Sequence, residues 1–208
     1  MGGMSDRDVV IPRADLVRER LAAAISVKQQ MAVGRYCEQA VDIARAMITA
    51  LRAGGKVIFF GNGGSAQDAG HLAAELMGRF AFDRPGLSAM SLADATAAMT
   101  AIGNDYSYDE VYARQVLAAG QPGDVAVGLT TSGNSENVVR ALESAEQAGM
   151  ITVAMTGEGG GKAAAVARMS LQVPTTDTAR AQEACMHLGH IICEMVEAAL
   201  FPRPWTKS

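Results

Sequence analysis

His71 and Glu75 are the first pair of residues whose types and spacing suit chemistry. They lie four residues apart in a segment with helical spacing, so both side chains occupy one face of a predicted helix and can share a metal ion or a substrate. A solvated surface pair is the alternative interpretation. A shared metal ion or substrate is favoured by position, because a glycine-rich loop, Gly61 to Ser65, ends less than about two helical turns before His71.

The last predicted helix, Ala179 to Leu200, carries Gln182, Glu183, His187 and His190 among apolar residues. Their spacing leaves two sets open. Glu183, His187 and His190 follow one stripe, whereas Gln182 and His190 diverge by roughly 80° about the helix axis, so periodicity slightly favours the first set. Nitrogen and oxygen ligands of this kind suit zinc with one position open for substrate, and a satisfied core histidine is the alternative.

Two loops at predicted strand ends carry groups that bind phosphate. The first runs Gly61-Asn62-Gly63-Gly64-Ser65, and its glycines let the backbone approach a ligand closely. The second runs Thr130-Thr131-Ser132-Gly133-Asn134-Ser135 and leads into a helix. Hydroxyl groups, backbone N–H groups and the positive end of a helix dipole favour a phosphate dianion. A tight turn and helix capping are the alternatives, but capping explains one hydroxyl and not four.

The chain from residue 57 onward alternates short apolar runs with helical segments, which predicts an α/β fold. We expect a three-layer, doubly wound, five-stranded parallel sheet with helices on both faces. The predicted strands are Val57 to Phe60, Ala89 to Leu92, Val125 to Leu129, Thr152 to Met155 and Met169 to Val173; helices are predicted at Ala66 to Phe80, Ala95 to Ile102, Glu110 to Ala119, Asn134 to Ala148 and near Ala163. N-terminal helices are expected over about residues 14–53, and residues 1–208 are expected to form a single domain.

Composition limits the partners and the compartment. A net charge of -4 and a pI near 5.4 offer no basic field for nucleic acid or an anionic membrane. No uncharged apolar stretch approaches the ~20 residues of a membrane span. Three cysteines without close pairs suit a reducing cytosol, so we expect a cytoplasmic protein. The 49% hydrophobic content suits extra surface buried between subunits, so we also expect an oligomer.

Several segments together resemble the phosphoheptose isomerases (sedoheptulose 7-phosphate isomerases) of the sugar isomerase, or SIS, fold. They are GNGGSAQDAGHLAAELMGRF from Gly61, FDRPGL from Phe82, AIGNDYSY from Ala101, TTSGNSENV from Thr130, TGEGGGK from Thr156 and AQEACMHLGHIICEMVE from Ala181. The resemblance covers nearly the whole chain. It implies a homotetramer with active sites between subunits and one zinc ion per subunit.

The same resemblance assigns residues to roles, matched by motif position. It places the zinc ligands at His71, Glu75, Gln182 and His190, and the catalytic pair at Glu75 and His190. The implied substrate contacts are Asn62, Gly63, Gly64, Ser65, Glu75, Arg79, Asn104, Asp105, Thr130, Thr131, Ser132, Ser135 and Gln182. One departure concerns Cys185, which occupies a position where the family usually has histidine, so metal affinity or site polarity is expected to differ.

The resemblance implies conversion of sedoheptulose 7-phosphate to D-glycero-D-manno-heptose 7-phosphate, the first step towards ADP- or GDP-heptose and a surface glycan such as lipopolysaccharide. Such an aldose–ketose isomerase moves a proton between neighbouring carbons through an enediolate. We expect Glu75 to shuttle that proton; His190 is expected to be either a ligand or the group that assists transfer between the oxygens. Another ketose-phosphate isomerase is one rival. The other is a non-catalytic SIS protein that binds the replication initiator, suggested by Leu200-Phe201-Pro202 and Asp109 to Tyr112.

Overall fold

The computed structural model describes residues 13–201, so the outer ends of the predicted domain and Pro202 lie outside the described residues. Five parallel strands form one sheet in the order β2-β1-β3-β4-β5. They are β1 (Val57–Gly61), β2 (Ala89–Ser91), β3 (Val125–Thr130), β4 (Ile151–Thr156) and β5 (Met169–Gln172). This confirms the predicted five-stranded parallel sheet. The strand order reverses between β1 and β3, and such a reversal opens a ligand crevice at the carboxyl ends of the strands.

Eight α-helices surround this sheet in the described part of the chain. They are α1 (Ala14–Val33), α2 (Tyr36–Arg52), α3 (Gly64–Met77), α4 (Thr96–Asp105), α5 (Ala113–Ala119), α6 (Glu136–Gln147), α7 (Gly161–Val166) and α8 (Thr178–Leu200). The predicted helix from Glu110 to Ala119 divides into a 3-10 turn, Tyr108–Glu110, and the shorter α5. Val111 and Tyr112 between them are buried, so packing of these two side chains sets the local conformation.

Alternate side chains of the strands enter two different cores, which confirms the three layers. Val57 and Phe59 of β1 pack with α1, α2, α3 and α8, while Ile58 and Phe60 pack with α5, α6 and α7. This follows from the two-residue period of a strand. The helices that carry His71 and His190 therefore lie on the same face of the sheet.

Close packing of α3 against α8 depends on Gly189. A Cβ atom at this position would lie 2.8 Å from a Leu72 methyl carbon, nearer than such atoms normally approach. The absence of a side chain lets the two helices approach each other one residue before His190 and one residue after His71. Across residues 13–201, no helix is both long and apolar enough to cross a membrane.

Candidate active site

The two loops predicted to bind phosphate leave neighbouring strands and contact each other. Gly61 of β1 pairs with Leu129 of β3, so the loops begin side by side. Asn62 then exchanges two amide hydrogen bonds with Asn137, at 2.8 and 2.9 Å, which ties the first loop to the first turn of α6. The Tyr108 hydroxyl donates to the Asn62 amide oxygen at 3.1 Å. The two loops therefore lie side by side at the carboxyl ends of β1 and β3.

The hydroxyl groups of the second loop form a cluster. The oxygen of Thr130 lies 3.0 Å from that of Ser135 and 3.4 Å from that of Ser132. Ser135 precedes α6, yet its side chain makes no capping hydrogen bond to the described helix, so capping does not account for it. Ser132 accepts from the Asn134 N–H at 3.2 Å, a local turn contact. The Ser135 hydroxyl thus contacts the Thr130 hydroxyl, and both groups can donate a hydrogen bond to a bound anion.

Two glycines of the first loop allow an unusual backbone conformation and a close contact with α8. Gly63 has a φ of +56°, a backbone conformation that other residues rarely adopt. At Gly64 an added Cβ would lie 2.5 Å from the Gln182 amide nitrogen, so the start of α8 packs directly on the loop. Ser65 follows in the first turn of α3 and is buried. Gln182 therefore lies beside the proposed phosphate loop.

His71, Glu75 and His190 come together between α3 and α8. The Nε2 atoms of the two histidines are 2.8 Å apart, and His71 Nε2 is 3.2 Å from Glu75 Oε1. One ligand atom from each residue lies within 4.8 Å of the other two. Ligands of a tetrahedral zinc ion at ~2.0–2.1 Å stand about 3.3 Å from one another. This nitrogen and oxygen set therefore fits zinc, and the His71 side chain, 50% exposed, leaves an open side.

The other polar residues of α8 point elsewhere. Glu183 forms a surface ion pair with Arg180 at 2.8 Å. His187 is exposed and lines a cavity with Lys28 of α1; burial, Lys28 and His190 all lower the pKa of its imidazole. Neither residue belongs to the group around His71. The stripe that periodicity slightly favoured is therefore not assembled here, because α3 contacts α8 along a different line.

Gln182 lies near the first turns of α3, where it meets Asp68. Burial raises the pKa of the Asp68 carboxyl, although a hydrogen bond from Gln182 and the nearby His71 act in the opposite direction. Eight residues of helix separate Gln182 from His190, a rise of about 12 Å. In this structure the Gln182 amide is thus held at the loop end of the site.

Cys185 is directed into the protein and not towards the histidines. The residue is 4% exposed, and its thiol donates to the Thr156 carbonyl at 3.7 Å. Burial, with a smaller contribution from Asp68, raises the pKa of the thiol to about 12. A neutral thiol is a poor metal ligand, since the thiolate is the form that binds. Cys185 is therefore not a member of the His71 group, and an altered metal affinity or site polarity stays a prediction.

The remaining predicted substrate contacts lie at helix ends and in the second loop. Arg79 is exposed just after the end of α3, and Asn104 and Asp105 end α4, where the Asn104 amide donates to Asp105 at 2.9 Å. Thr131 is half-buried, and its carbonyl accepts from the Gly157 N–H at 3.0 Å. The structure gives no direct contact between these side chains and the His71 group.

Sequence reasoning missed a buried ion pair next to this group. The Arg84 Nε donates to Glu197 at 2.9 Å, and both side chains are almost inaccessible. Burial tends to raise the pKa of Glu197, but hydrogen bonds from the Phe80 and Ala81 N–H groups and from Arg84 hold it below its usual range. The ring of Phe80 also packs on His190, with centroids 5.8 Å apart. The FDRPGL motif contained Arg84, but nothing in its spacing indicated a partner on the last helix.

Comparison with known proteins identifies the class first. The family model described as the SIS domain matches residues 26–157, which is more than half of the chain. A phosphoheptose isomerase of Aquifex aeolicus is 51% identical over 168 residues, covering 81% of this chain and 88% of its own. One from Rhodospirillum rubrum is 50% identical over 165 residues, covering 79% and 88%. The chain belongs to the phosphoheptose isomerases of the SIS domain family.

Solved structures agree with this membership. The phosphoheptose isomerase of Neisseria gonorrhoeae matches with a TM-score of 0.83 and 41% identity, covering 88% of this chain and 98% of that one. The enzyme of Francisella tularensis matches with a TM-score of 0.86 and 32% identity, covering 90% and 99%. The similarity therefore extends over nearly the whole described fold.

Proposed function

We propose that this chain isomerises sedoheptulose 7-phosphate to D-glycero-D-manno-heptose 7-phosphate. The observation that carries the proposal is the His71, Glu75 and His190 group. Two of its residues lie on α3, the helix that begins at the first loop, and that loop lies beside the hydroxyl cluster of the second loop, in a member of this family. A phosphate anchored at the loops leaves the sugar chain free to extend along α3 towards Glu75. Such an arrangement suits proton transfer near the end of the sugar remote from the phosphate.

The residues of this chain divide the chemistry between them. Glu75, as a carboxylate, takes the proton from the carbon beside the carbonyl and returns it to the neighbouring carbon. His190 assists proton transfer between the two sugar oxygens. The hydroxyls of Thr130, Ser132 and Ser135 with the N–H groups of the loops hold the phosphate, and an anchored substrate reacts faster because its geometry is fixed in advance.

The donor set around His71 fits a zinc ion, which we propose is held by His71, Glu75 and His190. Bound zinc supplies Lewis acidity that stabilises negative charge on a substrate oxygen. Gln182 remains the proposed fourth ligand and a substrate contact. To serve as a ligand, its amide has to leave the contact with Gly64 and Asp68, or a neighbouring subunit has to provide it.

A homotetramer with sites between subunits is part of the proposal. The α1 helix exposes four large apolar side chains: Leu16, Val17, Leu21 and Ile25, with 43%, 59%, 59% and 55% exposure. Ile191 of α8 is also exposed. A helix with this much uncovered apolar surface gains free energy when another subunit covers it. A cytoplasmic location and a heptose product destined for a surface glycan complete the proposal.

The direct test is a substrate comparison with purified protein. We expect the chain to convert sedoheptulose 7-phosphate, with the aldose product observed by NMR, and to turn over a six-carbon ketose phosphate far more slowly. Metal analysis of the same sample is expected to find about one zinc per subunit. Preference for the six-carbon substrate supports the rival isomerase. No turnover of either sugar, without bound zinc, supports a non-catalytic role.

Ser135→Ala tests the phosphate site separately from the chemistry. Removing this hydroxyl from a dianion is expected to raise KM about 10-fold or more, since hydrogen bonds to charged groups contribute about 1.5–3 kcal/mol, and to change kcat little. Steady-state kinetics with sedoheptulose 7-phosphate measures both. Ser144→Ala, within α6 itself, is the matched control and should match the unmodified protein. An unchanged KM in the Ser135 variant would place the phosphate elsewhere.

A further inference from the structure

The buried pair Arg84 and Glu197 joins the two helices that carry the metal group. Glu197 is 1% exposed, and its carboxylate accepts from the N–H groups of Phe80 and Ala81, both at 2.7 Å, and from Arg84 Nε at 2.9 Å. These contacts lie two turns beyond His190 on α8, and residues seven apart fall on nearly the same face of a helix. The face of α8 that presents His190 is thus fixed to the segment that follows α3.

Arg84 also holds the end of α3 itself. Its guanidinium donates to the carbonyl of Leu76 at 2.7 Å, to that of Glu75 at 2.8 Å and to that of Gly78 at 3.3 Å. These carbonyls lie at or just beyond the end of α3 and lack helical partners, so the guanidinium stabilises a helix end at Met77, three residues before the predicted Phe80. The backbone of the proposed base is therefore bonded directly to the guanidinium.

Stability alone is a weak reason for such a pair. The free energy lost by removing two charges from water offsets much of their mutual attraction. Proteins in which well-packed apolar side chains replace such a pair are often equally stable or more stable. What apolar side chains cannot supply is the forked set of directed bonds to Glu75, Leu76 and Glu197. The ring of Phe80, whose N–H is held by Glu197, packs on His190 as well. The pair thus bonds the backbone of Glu75 directly and reaches His190 through the ring of Phe80.

We propose that Arg84 and Glu197 are positioning residues that set the relative placement of Glu75 and His190. This inference rests on the proposed isomerase function. It predicts that loss of the pair lowers kcat and zinc affinity together, while KM for the sugar phosphate, which depends on the distant loops, changes little.

The test replaces both members at once, Arg84→Met with Glu197→Leu, so that no unpaired charge is left buried. We expect kcat and zinc affinity each to fall about 10- to 100-fold, which is the loss seen when groups that support metal ligands are removed. KM should stay within about threefold of the unmodified chain. Zinc affinity is measured by titrating the metal into metal-free protein. The matched control is Lys56→Met with Asp124→Leu, another ion pair with a buried carboxylate, 2.5 Å apart, at the opposite end of β1 and β3.

Thermal unfolding of both double variants separates positioning from stability. Wild-type kcat and zinc affinity in the Arg84/Glu197 variant, or equal losses in the control, overturn the proposal. If the double variant does not fold, the single variants Arg84→Lys and Glu197→Gln are compared with the unmodified chain instead. Lysine keeps the positive charge, so Arg84→Lys is expected to retain part of kcat. If the unmodified chain does not isomerise the sugar, the proposed function fails, while the zinc titration still decides whether the pair positions the histidines.

Discussion

Glu75→Gln is expected to lower kcat by about 10²- to 10⁴-fold, the range lost when a general base is removed. Glutamine has nearly the same shape, so the packing of α3 is retained, but it cannot take up the substrate proton. The first of the two loops proposed to hold the phosphate ends at Ser65, ten residues before Glu75, at the other end of the helix. Binding of sedoheptulose 7-phosphate, followed by the shift in unfolding temperature, is therefore expected to persist.

Because Glu75 is also a proposed zinc ligand, metal content has to be measured in the same variant. Activity assayed with zinc in excess removes the contribution of weaker metal binding. Glu183→Gln is the control, because Glu183 lies on the surface of α8 in an ion pair with Arg180. A Glu75 variant that turns over within a few-fold of the unmodified chain, at full zinc occupancy, would show that another group moves the proton.

The sheet and the two loops followed from the sequence because their signals are local. An apolar run of β1 followed by glycines and a serine fixes a strand, a turn and a helix start within a few residues. The reversal of strand order then brings the β1 and β3 loops side by side without further information. His71 and Glu75 were paired by the helical period, which is local as well.

Contacts between α3 and α8 could not be read in the same way. Helical period alone slightly favoured Glu183 and His187 as partners of His190, because it describes one helix and not the line along which a second helix packs. That line depends on Gly189 meeting Leu72. The ion pair of Arg84 and Glu197 was missed for the same reason, since its members lie 113 positions apart and only the fold brings them together.

Removal of His190 is expected to have an effect as large as removal of Glu75. His190→Ala deletes one of the two imidazole nitrogens that face each other at 2.8 Å, so zinc affinity should fall. His71→Ala deletes the other and should weaken zinc to a similar degree. The two variants differ in what excess metal restores, because only His190 is proposed to move protons between the sugar oxygens.

At saturating zinc, we expect His71→Ala to recover most of its kcat and His190→Ala to stay about 10²-fold or more below the unmodified chain. His187→Ala is the control on α8, because His187 faces Lys28 of α1 and lies outside the metal group. It should leave both kcat and zinc affinity unchanged. Equal recovery of kcat in the His71 and His190 variants would mean that His190 only binds the metal. Another group would then transfer the proton between the oxygens. Glu75 is the candidate, because its carboxylate already lies in the same ligand cluster.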